Sequence, residues 1–285
     1  MKEKINWKVN TLPHNKEEID LEFLSEKEIS KARDFHASFP QYKETPLVAL
    51  DKLSEYLGLG GIYIKDESYR FGLNAFKVLG GSFAMAQYMA QRLGKDISEL
   101  PYEKLISDEV RKELGDITFV TATDGNHGRG VAWTANKLRQ KSVVYMPKGS
   151  SLTRLENIRK EGADASITDM NYDEAVRLAA KYADEHNGVV IQDTAWDGYE
   201  DIPAWIMEGY GTMGLEALNQ LRSYGVERPT HIFLQAGVGS LAGGVQGFFA
   251  SVFGEECPKT TIVEASEAAC LYKSAVANDG DLRVV

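Results

Sequence analysis

From residue 60 onward, short apolar segments alternate along the chain with longer amphipathic ones. Most of the short segments are rich in β-branched residues and contain few polar positions, which is typical of strands covered on both faces. The predicted strands are 61–65, 117–121, 142–146, 165–168, 189–192, 231–235 and 261–264. The predicted helices include 25–35, 76–93, 128–139, 151–161, 172–185 and 205–222. This alternation predicts an α/β fold with mainly parallel sheets flanked by helices and connected by right-handed crossovers.

The amino-acid composition of the chain limits the kinds of molecule that it is expected to bind. The chain has 285 residues, 43% of them hydrophobic and 26% charged, which is enough for one large or two ordinary domains. No apolar run approaches the roughly 20 residues of a membrane-spanning helix, and the polar start of the chain lacks the apolar segment of a secretion signal. The net charge of −10 disfavours a nucleic-acid or membrane partner, and the five histidines and two cysteines show no metal-ligand spacing. We therefore expect a cytoplasmic protein that acts on a small molecule and binds no metal.

The first candidate functional segment is NAFKVLGG at 74–81, at the start of a predicted helix. Lys77 lies there among apolar neighbours near a helix N-terminus, where an ammonium group is disfavoured. A Schiff base with a carbonyl compound relieves that charge, so Lys77 is a candidate for covalent catalysis. Taken alone, the segment is also explained by a surface lysine whose amino group reaches solvent.

The second candidate segment is TDGNHGRG at 123–130, directly after the predicted strand 117–121. Its glycines allow a ligand to approach the backbone closely. Asn126 can donate and accept hydrogen bonds, and Asp124 is a candidate acid or base. The alternative is a simple turn in which an Asp or Asn side chain caps the next helix.

The third candidate segment is AGVGSLAGG at 236–244, after the predicted strand 231–235. Small residues that open a helix form an anion site, because backbone N–H groups point at the ligand. The segment resembles the dinucleotide motif GxGxxG without matching it, since Ala242 stands where the third glycine would fall. A nucleotide-binding oxidoreductase would also leave Lys77 and the loop 123–130 unexplained. A phosphate outside a dinucleotide fits this segment better.

In this order, the lysine, the asparagine loop and the glycine segment resemble the fold type II pyridoxal-phosphate enzymes, the group of tryptophan synthase β, threonine dehydratase and cysteine synthase. The chain departs from the dehydratases at Ala75 and Asp124, and both departures resemble the diaminopropionate ammonia-lyases. The resemblance runs from about Tyr42 to the end of the chain. It is carried by FGLNAFK at 71–77, DGNHGRGVAW at 124–133, YMPKGS at 145–150, TDMNYD at 168–173 and QDTAWDGY at 192–199.

The resemblance implies a tryptophan synthase β-like fold of two interwoven domains. Residues 1–75 and 193–285 would form the large cofactor domain, and residues 76–192 the small domain. The family continues well beyond the position of Val285, so we expect the C-terminal part of the large domain, with the group that faces the pyridine nitrogen, to be missing. Relatives of this type are usually homodimers, and the resemblance implies one here.

The resemblance also implies pyridoxal 5'-phosphate as the cofactor. Lys77 would hold it covalently, and Asn126 would contact its ring oxygen. The residues expected to bind the cofactor are Lys77, Asn126, Gly237, Val238, Gly239, Ser240 and Leu241.

The implied activity is the α,β-elimination of D- and L-2,3-diaminopropionate to pyruvate and ammonia. Lys77 would be the base for the L-isomer and Asp124 the base for the D-isomer, on the opposite face. Asp193 matches the family's second functional aspartate and would serve the leaving amine, although a strand-end turn also explains it. His127 and Tyr172 are further candidates for the pocket. The alternatives are a serine or threonine dehydratase and a non-catalytic fragment of this fold.

Overall fold

The computed structural model describes residues 5–11 and 20–283. Its α-helices are α1 (Glu26–Ala37), α2 (Asp51–Leu57), α3 (Val78–Leu93), α4 (Tyr102–Leu105), α5 (Asp108–Leu114), α6 (Asn126–Lys137), α7 (Leu152–Lys160), α8 (Tyr172–Glu185), α9 (Asp201–Ser223), α10 (Ser240–Phe253) and α11 (Cys270–Ala277). Its strands are β1 (Leu47–Ala49), β2 (Tyr63–Lys65), β3 (Thr118–Ala122), β4 (Lys141–Met146), β5 (Asp164–Ile167), β6 (Val189–Val190), β7 (His231–Gln235) and β8 (Lys259–Val263). No helix in these ranges is both long and apolar enough to cross a membrane. Residues 1–4 and 12–19 in the polar start of the chain, and residues 284–285 of the predicted large domain, lie outside the described residues.

Parallel strands form the two sheets that carry the candidate segments. The four-stranded sheet has the order β5-β4-β3-β6, with every neighbouring pair parallel, and β7 pairs with β8 in a second parallel sheet. The third sheet joins β1 and β2 antiparallel, with Val48 opposite Ile64. The predicted α/β class with mainly parallel sheets is therefore confirmed. The limits of the two predicted domains stay a prediction.

Most predicted elements recur within a few residues, and helix α8 has the predicted bounds. The predicted strand 189–192 is too long, since β6 ends at Val190. Ile191 still donates to Val120 of β3, but the next amide, that of Gln192, donates to the Tyr199 hydroxyl at 2.8 Å. The backbone leaves the sheet at this point because a side chain replaces the neighbouring strand as acceptor. The predicted elements include no counterpart of β1, α2, α4, α5 or α11, each of which has eight residues or fewer.

Two glycines bring helices together around the start of α3. A Cβ atom on Gly209 of α9 would lie 2.4 Å from the Leu79 carbonyl oxygen, so α9 can approach α3 only with glycine there. A Cβ atom on Gly130 of α6 would lie 2.9 Å from the Cα atom of Val78. Both α6 and α9 thus pack directly on the first turn of α3, which follows Lys77. This packing positions the lysine against the rest of the site.

A buried charge network joins α9 to the segment after β2. Glu216 is 2% exposed and accepts hydrogen bonds from both terminal nitrogens of Arg70, at 2.8 and 2.7 Å. Lys65 Nζ lies 2.7 Å from the same carboxylate, and the Tyr42 hydroxyl donates to it. Burial alone would raise the pKa of Glu216, but the hydrogen bonds and charge of Arg70, and then Lys65, lower that pKa to about 2. The resulting stabilisation is complete above pH 4.5, the ordinary pKa, and is lost as the pH falls toward 2.

Replacement of Glu216 by glutamine is expected to lower the free energy of unfolding at pH 7 by about 3–5 kcal/mol, because Arg70 then keeps its buried charge without its main partner. Urea unfolding followed by circular dichroism measures this loss. Glu156→Gln is the matched control, since Glu156 pairs with Arg159 at 3.1 Å on the exposed surface of α7. That change should cost less than about 1 kcal/mol. Equal losses in the two variants would contradict the account of the buried network.

Candidate active site

A cavity of about 240 Å³ brings two of the three candidate segments together with a buried aspartate. Lys77 enters it from the residue before α3, and Asp193 from the segment after β6. The glycine loop between β7 and α10 forms another wall. The lining residues are Phe76, Lys77, Asp193, Tyr210, Gln235, Ala236, Gly237, Val238, Gly239, Ser240 and Leu241. An amine, a carboxylate and a set of backbone N–H groups therefore share one small space.

Lys77 and Asp193 form an ion pair in the lining of this cavity. Lys77 Nζ donates to Asp193 Oδ2 at 2.7 Å, and Asp193 is 4% exposed. Burial opposes ionisation of Asp193, but neighbouring His127 and the Lys77 ammonium outweigh it and lower the pKa of the carboxyl. We attribute the lowering chiefly to Lys77, because His127 is buried and its own pKa is lowered, first by burial. A strand-end turn does not require a buried carboxylate paired with a lysine.

His127 is a buried neighbour of Asp193. Its Nε2 is 2.7 Å from the Ile191 carbonyl oxygen, which can only accept, so this nitrogen carries the proton of the neutral ring. Its Nδ1 is 3.9 Å from Asp193 Oδ2 and has no hydrogen-bond partner among the described residues. The ring therefore presents an unprotonated nitrogen toward the carboxylate, at a distance too long for a hydrogen bond.

Asp193 is also held by Ser240 and Gln192, and of these two the sequence had singled out only Ser240. The Ser240 hydroxyl donates to the backbone carbonyl of Asp193 in a short contact. Gln192 Nε2 lies 3.5 Å from Asp193 Oδ1 and donates to the Tyr172 hydroxyl at 2.8 Å. Burial, followed by the charge of Asp193, raises the pKa of Tyr172, so this hydroxyl stays protonated. Ser240, which was predicted to bind the phosphate, thus donates its hydroxyl proton to a carbonyl of the protein. Its backbone N–H can still donate to a ligand.

The glycine loop has the backbone geometry of an anion cradle. Gly239 has φ 101°, in the left-handed region, and directly precedes α10, a helix of 14 residues. The first N–H groups of this helix have no acceptor within the helix, and its dipole favours a negative charge. Together with the Lys77 amine, the loop fits a cofactor that has an aldehyde and a phosphate. Across the described ranges, no three His, Cys, Asp or Glu side chains are grouped so that they could hold a metal ion.

Asp124 and Asn126 lie at the start of α6 and are not among the residues that line this cavity. The Asp124 side chain is 75% exposed, and its Oδ2 lies 3.6 Å from Arg154 Nη1. The same guanidinium nitrogen donates to the Asp124 carbonyl oxygen at 3.0 Å. Asn126 is the exposed first residue of the helix. In the structure, the predicted base Asp124 therefore faces Arg154 of α7. The sequence did not single out Arg154, because α7 carries no glycine-rich or motif-like segment.

Comparisons with known proteins identify the family of the chain. Residues 39–282 match the family described as pyridoxal-phosphate dependent enzyme. Diaminopropionate ammonia-lyase of Salmonella typhimurium is 56% identical over 246 residues, which are 86% of this chain and 61% of that protein. The crystal structure of the Escherichia coli ammonia-lyase with D-serine superposes with a TM-score of 0.86 at 48% identity, over 92% of this chain and 66% of that one. The E. coli enzyme with an aminoacrylate-PLP azomethine reaction intermediate gives a TM-score of 0.83 at 47% identity, over 92% and 64%.

The match covers most of this chain but only part of each relative. The chain spans about three fifths of the length of the curated ammonia-lyases that it matches, at 61% and 63%. The family match includes Lys77, Asp193 and the glycine loop, and the solved relatives share the α/β fold. The family resemblance, the fold and the cofactor expected from the sequence are thereby confirmed. The chain belongs to the pyridoxal-phosphate dependent enzymes of fold type II, and its cofactor is pyridoxal 5'-phosphate.

Proposed function

We propose that the chain catalyses the α,β-elimination of D- and L-2,3-diaminopropionate to pyruvate and ammonia. The observation that carries this proposal is the 2.7 Å pair between Lys77 and the buried Asp193, beside an anion cradle. A carbonyl-reactive amine next to a carboxylate suits a reaction that removes one proton and protonates a leaving amine. The 56% identity to the Salmonella ammonia-lyase supports the choice of substrate.

Each site residue has a separate task in this proposal. Lys77 would hold the cofactor, the backbone of 237–241 its phosphate, and Asn126 its ring oxygen. When bound, pyridoxal phosphate supplies an electron-withdrawing ring that stabilises negative charge on the amino acid. Lys77 Nζ then takes the Cα proton of the L-isomer. The D-isomer presents its Cα proton on the opposite face, where a second base is needed, and Asp124 takes that role.

Asp124 can reach the substrate only if its side chain leaves Arg154. The two side chains are 3.6 Å apart and both are exposed, so their separation costs no more than about 1 kcal/mol. Arg154 also donates to the Asp124 carbonyl oxygen and can keep that bond while the carboxylate turns. The observed contact is thus compatible with a base that swings inward when a substrate is present.

Asp193 would act as the acid for the leaving amine. In the structure, the positive charge of Lys77 favours the ionised carboxyl. To take the Cα proton, Lys77 Nζ must be a free neutral amine, and in that form it no longer pairs with Asp193 as an ammonium group. Burial then raises the pKa of the carboxyl, and a proton on Oδ2 becomes available for the amine. The same two residues therefore alternate between a paired resting state and a working acid–base set.

Replacement of Asp124 by asparagine tests the two-base arrangement. We expect pyruvate formation from D-2,3-diaminopropionate to fall by about 10²–10⁴-fold, the range of a lost general base, while turnover of the L-isomer is retained. Pyruvate release is measured for each isomer with a coupled dehydrogenase. Asp197→Asn, which changes an exposed aspartate of the segment after β6, is the control. Equal losses for both isomers in Asp124→Asn would show that the loop has a structural role and would overturn the assignment of Asp124 as a base.

Direct measurements distinguish two alternative functions from the proposed ammonia-lyase activity. A serine or threonine dehydratase would release a hydroxyl group, and the D-serine complex of the E. coli relative makes hydroxy amino acids worth testing. Faster turnover of serine or threonine than of diaminopropionate would favour that activity. A non-catalytic fragment of this fold would show neither turnover nor the absorbance of bound cofactor.

We also propose a homodimer in the cytoplasm. Exposed apolar side chains on and after α2, namely those of Leu53, Tyr56, Leu57 and Leu59, offer a surface for a second subunit. Cys257 and Cys270 are free thiols, which suits a reducing compartment. Sedimentation equilibrium of the purified chain would give twice the chain mass if the dimer proposal is right.

A further inference from the structure

Tyr210 places a buried hydroxyl group beside the candidate active site. The residue lies on α9, lines the cavity with Lys77 and the glycine loop, and is 1% exposed. Among the described residues, its hydroxyl oxygen has no hydrogen-bond partner. Because a buried hydroxyl without a partner is energetically unfavourable, such a group beside a binding cavity points to a bound ligand.

The Tyr210 ring is fixed in place by packing. A Cβ atom on Gly80 of α3 would lie 2.8 Å from both Cε1 and Cζ of the ring, so α3 needs a glycine where the tyrosine passes. The Phe76 ring meets Tyr210 edge-on, with centroids 5.4 Å apart. The hydroxyl therefore has little freedom to find another partner. Because Phe76 directly precedes Lys77, the ring also adjoins the residue that holds the cofactor.

Tyr210 and the glycine loop lie on the same cavity. Long side chains in helices lean toward the N-terminus of their own helix, which for Tyr210 is the turn containing Met207. Met207 packs on the first turns of α10: its carbonyl oxygen lies 2.7 Å from where a Cβ atom of Gly244 would stand, and its Cε 3.0 Å from that of Gly243. Tyr210 and residues 237–241 line one cavity, and the turn of α9 before Tyr210 packs on the helix that follows the cradle.

We propose that the Tyr210 hydroxyl donates a hydrogen bond to the phosphate of the cofactor, in addition to the backbone donors of 237–241. Burial and then the charge of Asp193 raise the pKa of Tyr210, so the hydroxyl keeps its proton beside a dianion. Asp193 is already bonded to Lys77 and held by Ser240. The inference rests on the family and its cofactor, and does not depend on which amino acid the enzyme eliminates.

The test compares Tyr210→Phe with the unchanged chain in three binding titrations, with pyridoxal phosphate, inorganic phosphate and pyridoxal as probes. A hydrogen bond to a charged group contributes about 1.5–3 kcal/mol, so we expect the dissociation constants of pyridoxal phosphate and inorganic phosphate to rise by about 10- to 100-fold. The affinity for pyridoxal, which has no phosphate, should be unchanged. Phenylalanine keeps the ring that packs on Gly80, and circular dichroism checks that the variant is folded.

Tyr102→Phe is the matched control, since Tyr102 packs on Phe39 with ring centroids 4.4 Å apart and does not line the cavity. It should leave all three affinities unchanged. The proposal is overturned if Tyr210→Phe binds both phosphate probes as tightly as the unchanged chain does. It is also overturned if pyridoxal loses as much affinity as pyridoxal phosphate, because the hydroxyl would then contact the ring. None of these titrations involves turnover, so a failure of the lyase proposal is seen separately.

Discussion

Replacement of Lys77 by alanine is expected to reduce pyruvate formation from both isomers of 2,3-diaminopropionate by at least about 10⁴-fold, because one side chain would serve as cofactor anchor and as base. The near-visible absorbance of covalently held cofactor should disappear in the same variant. Pyruvate release and an absorbance spectrum of the purified chain measure the two effects. Lys181→Ala, which removes an exposed lysine paired with Glu185 on α8, should leave both readouts unchanged.

The alanine variant also leaves Asp193 buried without its partner, which can cost about 3–5 kcal/mol of stability. Lys77→Arg separates this effect from the chemistry. Arginine keeps a positive charge near Asp193, but its guanidinium does not deprotonate in proteins and so cannot take the place of the amine. We expect Lys77→Arg to be folded, inactive and free of covalently held cofactor. Pyruvate formation at the unchanged rate in a folded Lys77→Arg protein would contradict the role of Lys77.

Asp193→Asn should lower kcat for both isomers by about 10²–10⁴-fold, because the amide cannot deliver a proton to the leaving amine. The leaving group is the same for the two isomers, so the loss should be equal for D and L, in contrast to the isomer-selective loss expected of Asp124→Asn. Steady-state kinetics with each isomer measures the split between kcat and KM. Asp197→Asn again serves as the exposed control from the same segment.

A substrate with a better leaving group provides the second arm of the Asp193 test. β-Chloroalanine releases chloride, which needs no proton, so elimination from it should suffer much less in Asp193→Asn than elimination from diaminopropionate. If both substrates lose activity equally, Asp193 only positions Lys77 through the 2.7 Å ion pair and is not the acid.

The sequence by itself determined the class of the fold and the family. Period-two and period-3.6 patterns are local properties of the chain, and they predicted strands such as 231–235 and the helix 172–185 at their observed bounds. The glycine loop lies at a strand–helix junction and Lys77 directly precedes a helix, and at both places local turn chemistry shapes the backbone. A match over residues 39–282 confirms the cofactor family that these motifs predicted.

Only the tertiary structure decided which groups meet. Lys77 and Asp193 are separated by 116 positions and form a pair that no local pattern reveals. α9, which follows the Asp193 segment, packs on the first turn of α3 through Gly209. The same packing brings Tyr210 to the cavity from a helix that carries no recognisable motif. Asp124 shows the converse, since its motif is local but its exposed carboxylate faces Arg154 across a contact between two helices. Side-chain partners depend on how elements approach one another in space, and that approach is set by packing over the whole chain.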